Sequence, residues 1–149
     1  MTKLEKLAIF EDKSVRYTIQ TAQALAQDLN SQVLATSHIF LVLLAHAEAL
    51  HRPWYEKLMI NSDDIYEQLL RDGHTSIRVV EVPGSQEIIV FQIKHLMNYL
   101  TEEFSRCKKD KDRLDHFILA CLDIMFQEEW LTYEWIGEIH TGIHKYLAC

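Results

Sequence analysis

The sequence predicts an all-α fold, one compact module of two pseudo-symmetric four-helix repeats, and three observations carry the prediction. Four Gly and two Pro in 149 residues leave few helix breakers. The strongly periodic segments repeat their apolar residues near 3.6 rather than 2. The chain also recurs on itself at an offset of 78 positions, which carries His38 onto His116, Val15 onto Ile93, Ile19 onto Met97, and Tyr55-Glu56 onto Tyr133-Glu134. Both histidines open a segment that is apolar nearly all round: Ile39-Phe40-Leu41-Val42-Leu43-Leu44 and Phe117-Ile118-Leu119-Ala120-Cys121-Leu122. A helix of that kind belongs in a core.

Taken in order, Val15, Ile19, Ala22, Ala26 and Leu29 draw one stripe on a first helix, which Asn30-Ser31 stops. Thr36 is the expected N-cap of the central helix, which runs to about His51. Pro53 suits the first turn of a short third helix that buries Trp54, Tyr55 and Leu58. Asn61 or Ser62 caps a fourth, with Asp63 and Asp64 at its positive end and Ile65, Leu69 and Leu70 inside, before Arg71-Asp72-Gly73 ends it. Repeat one thus spans about 10–71. A linker of about 72–84 follows, and its segment Thr75 to Val82 is the one strand candidate.

Repeat two spans about 85–149. Ser85 is the expected cap of the longest helix, striped by Ile89, Ile93, Leu96, Met97, Leu100 and Phe104. A charged connection from Lys108 to Asp112 leads into the second central helix, about Leu114 to Gln127. Trp130, Tyr133 and Ile136 match the earlier short helix, and Thr141 is read as the cap of a last one carrying Ile143 and Leu147.

Composition narrows the function. A makeup of 48% hydrophobic and 25% charged residues is that of a globular chain, and a net charge of −7 disfavours nucleic acid and anionic membrane, which are bound chiefly through Lys and Arg. The apolar run from Ile39 to Ala45 is far short of the ~20 residues a membrane helix needs. No secretory leader is legible at Met1, so the expected location is cytoplasmic. Three cysteines, Cys107, Cys121 and Cys149, lack a C-x-x-C pair and read as reduced thiols, the first two on apolar stripes. Phosphate-binding loops, nucleophile elbows and dinucleotide fingerprints are absent, so no cofactor is expected and any coupling to ATP belongs to a partner.

The Ala22 and Ala26 helix, the short loop and the Thr-x-His-Ile-x-Leu-x-Leu-Leu start of a buried helix, repeated about 78 residues on, resemble the Clp N-terminal repeat. The resemblance runs from about Phe10 to Leu147. It implies a non-catalytic protein-binding module that docks protein clients or adaptors for a Clp-type ATPase, either as a small stand-alone accessory protein or as a domain of a larger unfoldase. The family's usual Gly-Thr-Glu-His helix start stands here as Ala35-Thr36-Ser37-His38 and as Arg113-Leu114-Asp115-His116. In some members the acidic residue before each histidine helps to hold phosphorylated arginine, a carboxylate pairing with the guanidinium while helix-start amides favour the phosphate. The resemblance therefore marks Thr36, Ser37, His38, Leu114, Asp115 and His116 as ligand- or peptide-binding candidates. An arginine-type ligand is expected to prefer Asp115 over Ser37.

Simpler readings stand beside these. His38 and His116 are expected to satisfy backbone groups at the starts of buried helices. His140 and His144, four apart, have a spacing used by zinc sites and raise the alternative of a small metal-dependent hydrolase, although Thr141 is read as beginning a helix between them. Glu128 and Glu129 beside Trp130 read as a solvated edge, since adjacent helical residues diverge. A purely structural dimerisation unit is a further alternative, and the oligomeric state is left open.

Overall fold

A computed structural model describes residues 12–77 and 85–148, those at 85–92 and 94 as backbone only. The elements are α1 (Lys13–Asp28), α2 (Thr36–Ala49), α3 (Pro53–Glu56), α4 (Ser62–Arg71), α5 (Ser85–Arg106), a 3₁₀ turn (Asp110–Asp112), α6 (Arg113–Asp123), a π-helical turn (Ile124–Glu128) and α7 (Glu134–Leu147). No strand occurs among the described residues, as an all-α fold requires. Of the strand candidate, residues 75–77 are irregular and fasten locally, Gln32 N–H donating to Ile77 O (2.9 Å) and Ser76 Oγ to Leu29 O (3.2 Å). Residues 78–82 of that candidate, like Pro83-Gly84 and the capping side chain of Ser85, lie outside the described residues.

The core is the crossing of α2 and α6, the two helices that are apolar nearly all round. Ile39, Phe40, Leu43 and Leu44 of α2 and Ile118, Leu119, Ala120 and Cys121 of α6 are all at most 1% exposed. Burying each Leu, Ile or Phe there is worth about 1.5–3 kcal/mol before entropy is counted. The amphipathic helices lay their stripes on this pair: Val15, Ile19, Ala22 and Ala26 from α1, Ile65 and Leu69 from α4, and Ile93, Leu96, Met97 and Leu100 from α5.

Helix ends follow local chemistry. Asp12 caps α1, its Oδ1 accepting from Ser14 N–H (2.9 Å) and Val15 N–H (3.3 Å). Asn61 Oδ1 caps α4 through Asp64 N–H (2.9 Å), and Pro53 takes the first position of α3. Three helices close alike, the two residues after the C-cap donating back into the last turn: Asn30 to Gln27 O and Ser31 to Ala26 O, His51 to Glu48 O and Arg52 to Ala47 O, Gly73 to Leu70 O and His74 to Leu69 O. This closure needs a left-handed residue, and Asn30 (φ 56°), His51 (φ 51°) and Gly73 (φ 82°) supply it.

Two local expectations are corrected. Thr36 is not the N-cap of α2; Ala35 holds that position, and the cap is made by His38, whose Nδ1 accepts from Ala35 N–H (2.9 Å). Nor does Thr141 start a helix. Trp135, Ile136, Ile139 and Ile143 form one buried stripe, so α7 runs unbroken through Thr141 and the second half has one long helix where the first has two. That helix lies against α3, where a Cβ built at Gly142 would stand 3.6 Å from Trp54 Cβ.

Candidate functional site

The two helix starts share a sequence pattern but not a wiring. At α2, His38 is fully buried and bridges Ala35 N–H through Nδ1 and Thr75 O through Nε2 (2.8 Å), which fixes the tautomer with its proton on Nε2. Burial lowers its pKa from the usual 6.5, outweighing the two backbone bonds that raise it, so the ring is neutral. Ser37 Oγ donates to His74 O (2.6 Å). Both bonds tie the loop after α4 to this helix start. Thr36, also fully buried, faces Glu129 without closing a hydrogen bond of full geometry.

At α6 the corresponding groups are side chains. His116 Nδ1 meets Glu103 Oε2 of α5 (2.9 Å), and Arg106 Nη1 donates to Glu103 Oε1 (3.2 Å). His116 thus departs from the expected backbone role. Asp115 has no exposed surface and is saturated by the other half of the chain. Arg52 Nε donates to its Oδ1 (3.2 Å) and Arg52 Nη2 to its Oδ2, while Trp54 Nε1 donates to Oδ1 (2.7 Å). Arg52 Nη2 also reaches Asp112 Oδ1 (3.1 Å), and the guanidinium carbon lies 4.9 Å from the centre of the Tyr146 ring. Burial alone would lower the Arg52 pKa; the bonds and charge of Asp115 more than offset it and raise it. The carboxylate at the second helix start already holds a guanidinium, and it is the chain's own.

Arg52 is placed by the end of α2. The left-handed turn at His51 hands the chain to Arg52, and Pro53 starts α3 immediately, so the guanidinium is aimed across at the α6 start. Sequence reasoning did not find this residue. The signal, an Arg two positions before the Trp that donates to the same carboxylate, acquires meaning only once positions 52 and 115 are brought together.

Among the helix-start candidates, Leu114 lines a surface groove. Together with Tyr17, Leu43, His46, Leu50, Phe104 and Phe117 it bounds a cavity of about 550 Å³ between α1, the end of α2 and the start of α6. Tyr17 and Leu50 are 60% and 65% exposed, a large apolar surface to leave in water. Tyr17 stacks on His46 (6.3 Å between centres) and Arg113 Cζ sits 4.1 Å from the Phe104 ring centre, so both walls are braced. Lys111 and Arg113 stand on the rim with Asp110, and Arg113 pairs with Asp12 at the start of α1.

The remaining candidates are placed as follows. Because α7 is continuous, His140 and His144 do share a face, their ring centres 4.5 Å apart, with Asp123 Oδ1 3.8 Å from His140 Nε2. Among the described residues no three His, Cys, Asp or Glu side chains are grouped to hold a metal ion. Cys121 is a buried thiol whose pKa burial pushes well up; Cys107 is half-exposed past the end of α5, its Sγ 3.1 Å from Lys109 O, instead of lying in the core. Among the described residues no helix is long and apolar enough to cross a membrane.

The module thus ties His38, Ser37, Asp115 and His116 into its own fold and leaves an apolar groove open beside Leu114. The Clp repeat N-terminal domain model matches residues 12–128, and the chain belongs to that family, whose domains are non-catalytic and generally mediate protein–protein interaction. The match ends at the π-helical turn, ahead of α7. No curated protein and no solved structure matches the chain.

Proposed function

We propose that this chain is a non-catalytic, cytoplasmic docking module that presents client proteins or adaptors to a Clp-type unfoldase, and that it is one domain of two repeats, about 10–71 and 85–149, joined at 72–84. The observation that carries the reading is the groove at Leu114, where exposed Tyr17 and Leu50 flank an apolar floor. A short amphipathic segment of a partner, with two or three apolar side chains for the floor and an acidic flank for Lys111, is the chemistry that suits it.

In this reading Leu114 touches the partner, while Thr36, Ser37, His38, Asp115 and His116 act from beneath by fixing the two helix starts. An arginine-type ligand reaches Asp115 only by displacing Arg52 and its paired bonds. Arginine-bearing clients at that position therefore compete with the fold itself.

Affinity capture from native lysate, comparing the wild-type chain with Leu50→Asp, tests the proposal. Recovery of a Clp-type ATPase or its adaptor by the wild type, lost in Leu50→Asp with the helical circular dichroism unchanged, is the expected result. Recovery of neither by the wild type, or equal recovery by both, overturns it.

A further inference from the structure

A second cavity, away from the groove, has the opposite chemistry. It holds about 490 Å³ between the loop after α4 and the turn before α7, and Asp72, His74, Glu129, Trp130 and Tyr133 line it. Glu129 is half-buried, and among the described residues no Lys, Arg or His side chain forms an ion pair with it. Burial pushes its carboxyl up, with the Thr36 hydroxyl pulling the other way. That hydroxyl belongs to a fully buried residue and satisfies no other group. The contrast with Asp115, held by Arg52 and Trp54, is direct: among the described residues one carboxylate has a cation and the other has none.

The rest of the wall restricts what the missing partner is. Asp72 adds a second carboxylate, kept in place by the Tyr133 hydroxyl, so an anion is disfavoured. Tyr133 is braced by edge contact with His74 (6.1 Å) and by stacking on Trp135 (5.2 Å). Trp130 is 81% exposed and held at φ 57°, so a large aromatic surface stands beside the acidic pair. An apolar occupant would bury Glu129 further without pairing it, at a cost. Carboxylate plus indole is the recognition chemistry of an organic cation.

We propose that this cavity binds a side-chain cation, guanidinium or ammonium, of a partner protein, with Glu129 as its counter-ion and Trp130 as its aromatic contact. Neither residue belongs to the helix-start pattern, and the site operates independently of the Leu114 groove.

The test is a titration of the isotope-labelled chain with N-acetylated, C-amidated tripeptides Gly-Arg-Gly, Gly-Lys-Gly and Gly-citrulline-Gly at fixed ionic strength, following the Trp130 indole and Glu129 amide signals. Saturable shifts with the arginine or the lysine peptide, absent with neutral citrulline and weakened about tenfold or more in Glu129→Gln, are expected; the stronger of the two identifies the source of the cation. Trp130→Ala, at the cavity mouth, is expected to weaken the same peptide while leaving the thermal midpoint nearly unchanged. Equal shifts with citrulline, shifts centred on Leu114 to Phe117, or no effect of Glu129→Gln overturn the proposal.

Discussion

Asp115 and Ser37 hold equivalent places in the two halves, and the difference between a carboxylate and a hydroxyl decides how each half is wired. The carboxylate recruits Arg52 and Trp54 from the other half of the chain, whereas the hydroxyl finds only the His74 carbonyl. Arg52→Ala leaves Asp115 buried without its cation and is expected to destabilise by about 3–5 kcal/mol in chemical denaturation; a loss under about 1 kcal/mol would show that the pair is dispensable. His38 gives a pH signature. Its folded-state pKa lies below the usual 6.5, so as pH falls the unfolded chain takes up the proton first, and protonation at Nδ1 breaks the bond from Ala35. Its contribution is complete above about 6.5 and is lost as pH drops below that value. His38→Gln is expected to cost about 1–3 kcal/mol at neutral pH and to remove that part of the acid slope, read from denaturation midpoints between neutral and mildly acidic buffer. The backbone role of His38 was legible in the sequence; the side-chain wiring was not, because Arg52 and Asp115, or Glu103 and His116, meet only through tertiary packing.

At the scale of elements the sequence was more readable, because burial writes its period directly into the residues. Val15, Ile19, Ala22, Ala26 and Leu29 formed one stripe in the sequence; the first four form one buried face in α1, and Leu29 is its half-buried C-cap. The misreading of Thr141 has a physical cause: a cap signal is local, while the stripe of Trp135, Ile139 and Ile143 across it is the stronger term, since burial of each side chain outweighs a cap worth about 1 kcal/mol. Leu119→Ala and Leu41→Ala are each expected to cost about 2–5 kcal/mol, Leu119 towards the upper end because it is 1% exposed against 8% for Leu41. Changes within about 0.5 kcal/mol in both would remove α2 and α6 from the core. His51, left-handed at the end of α2 and with its side chain 83% exposed, supplies a test of the opposite sign. His51→Gly relieves Cβ strain at φ 51° and is expected to stabilise by about 1 kcal/mol, seen as a raised thermal midpoint.

For the whole molecule, the all-α class and the Clp repeat family followed from the recurrence at 78 positions and the two apolar helices it aligned. The groove did not, because Tyr17, Leu50 and Leu114 lie far apart in sequence and single exposed apolar residues carry no signal. The proposed function rests on partners docking there. Replacing Leu50 with a photo-crosslinking phenylalanine derivative, and in a parallel protein Glu67 on α4 outside the groove, tests it in native lysate after irradiation and mass spectrometry. Crosslinks to a Clp-type ATPase, its adaptor or its clients from position 50, with none from position 67, are the predicted result; no crosslinks from position 50, or the same set from both positions, would contradict it.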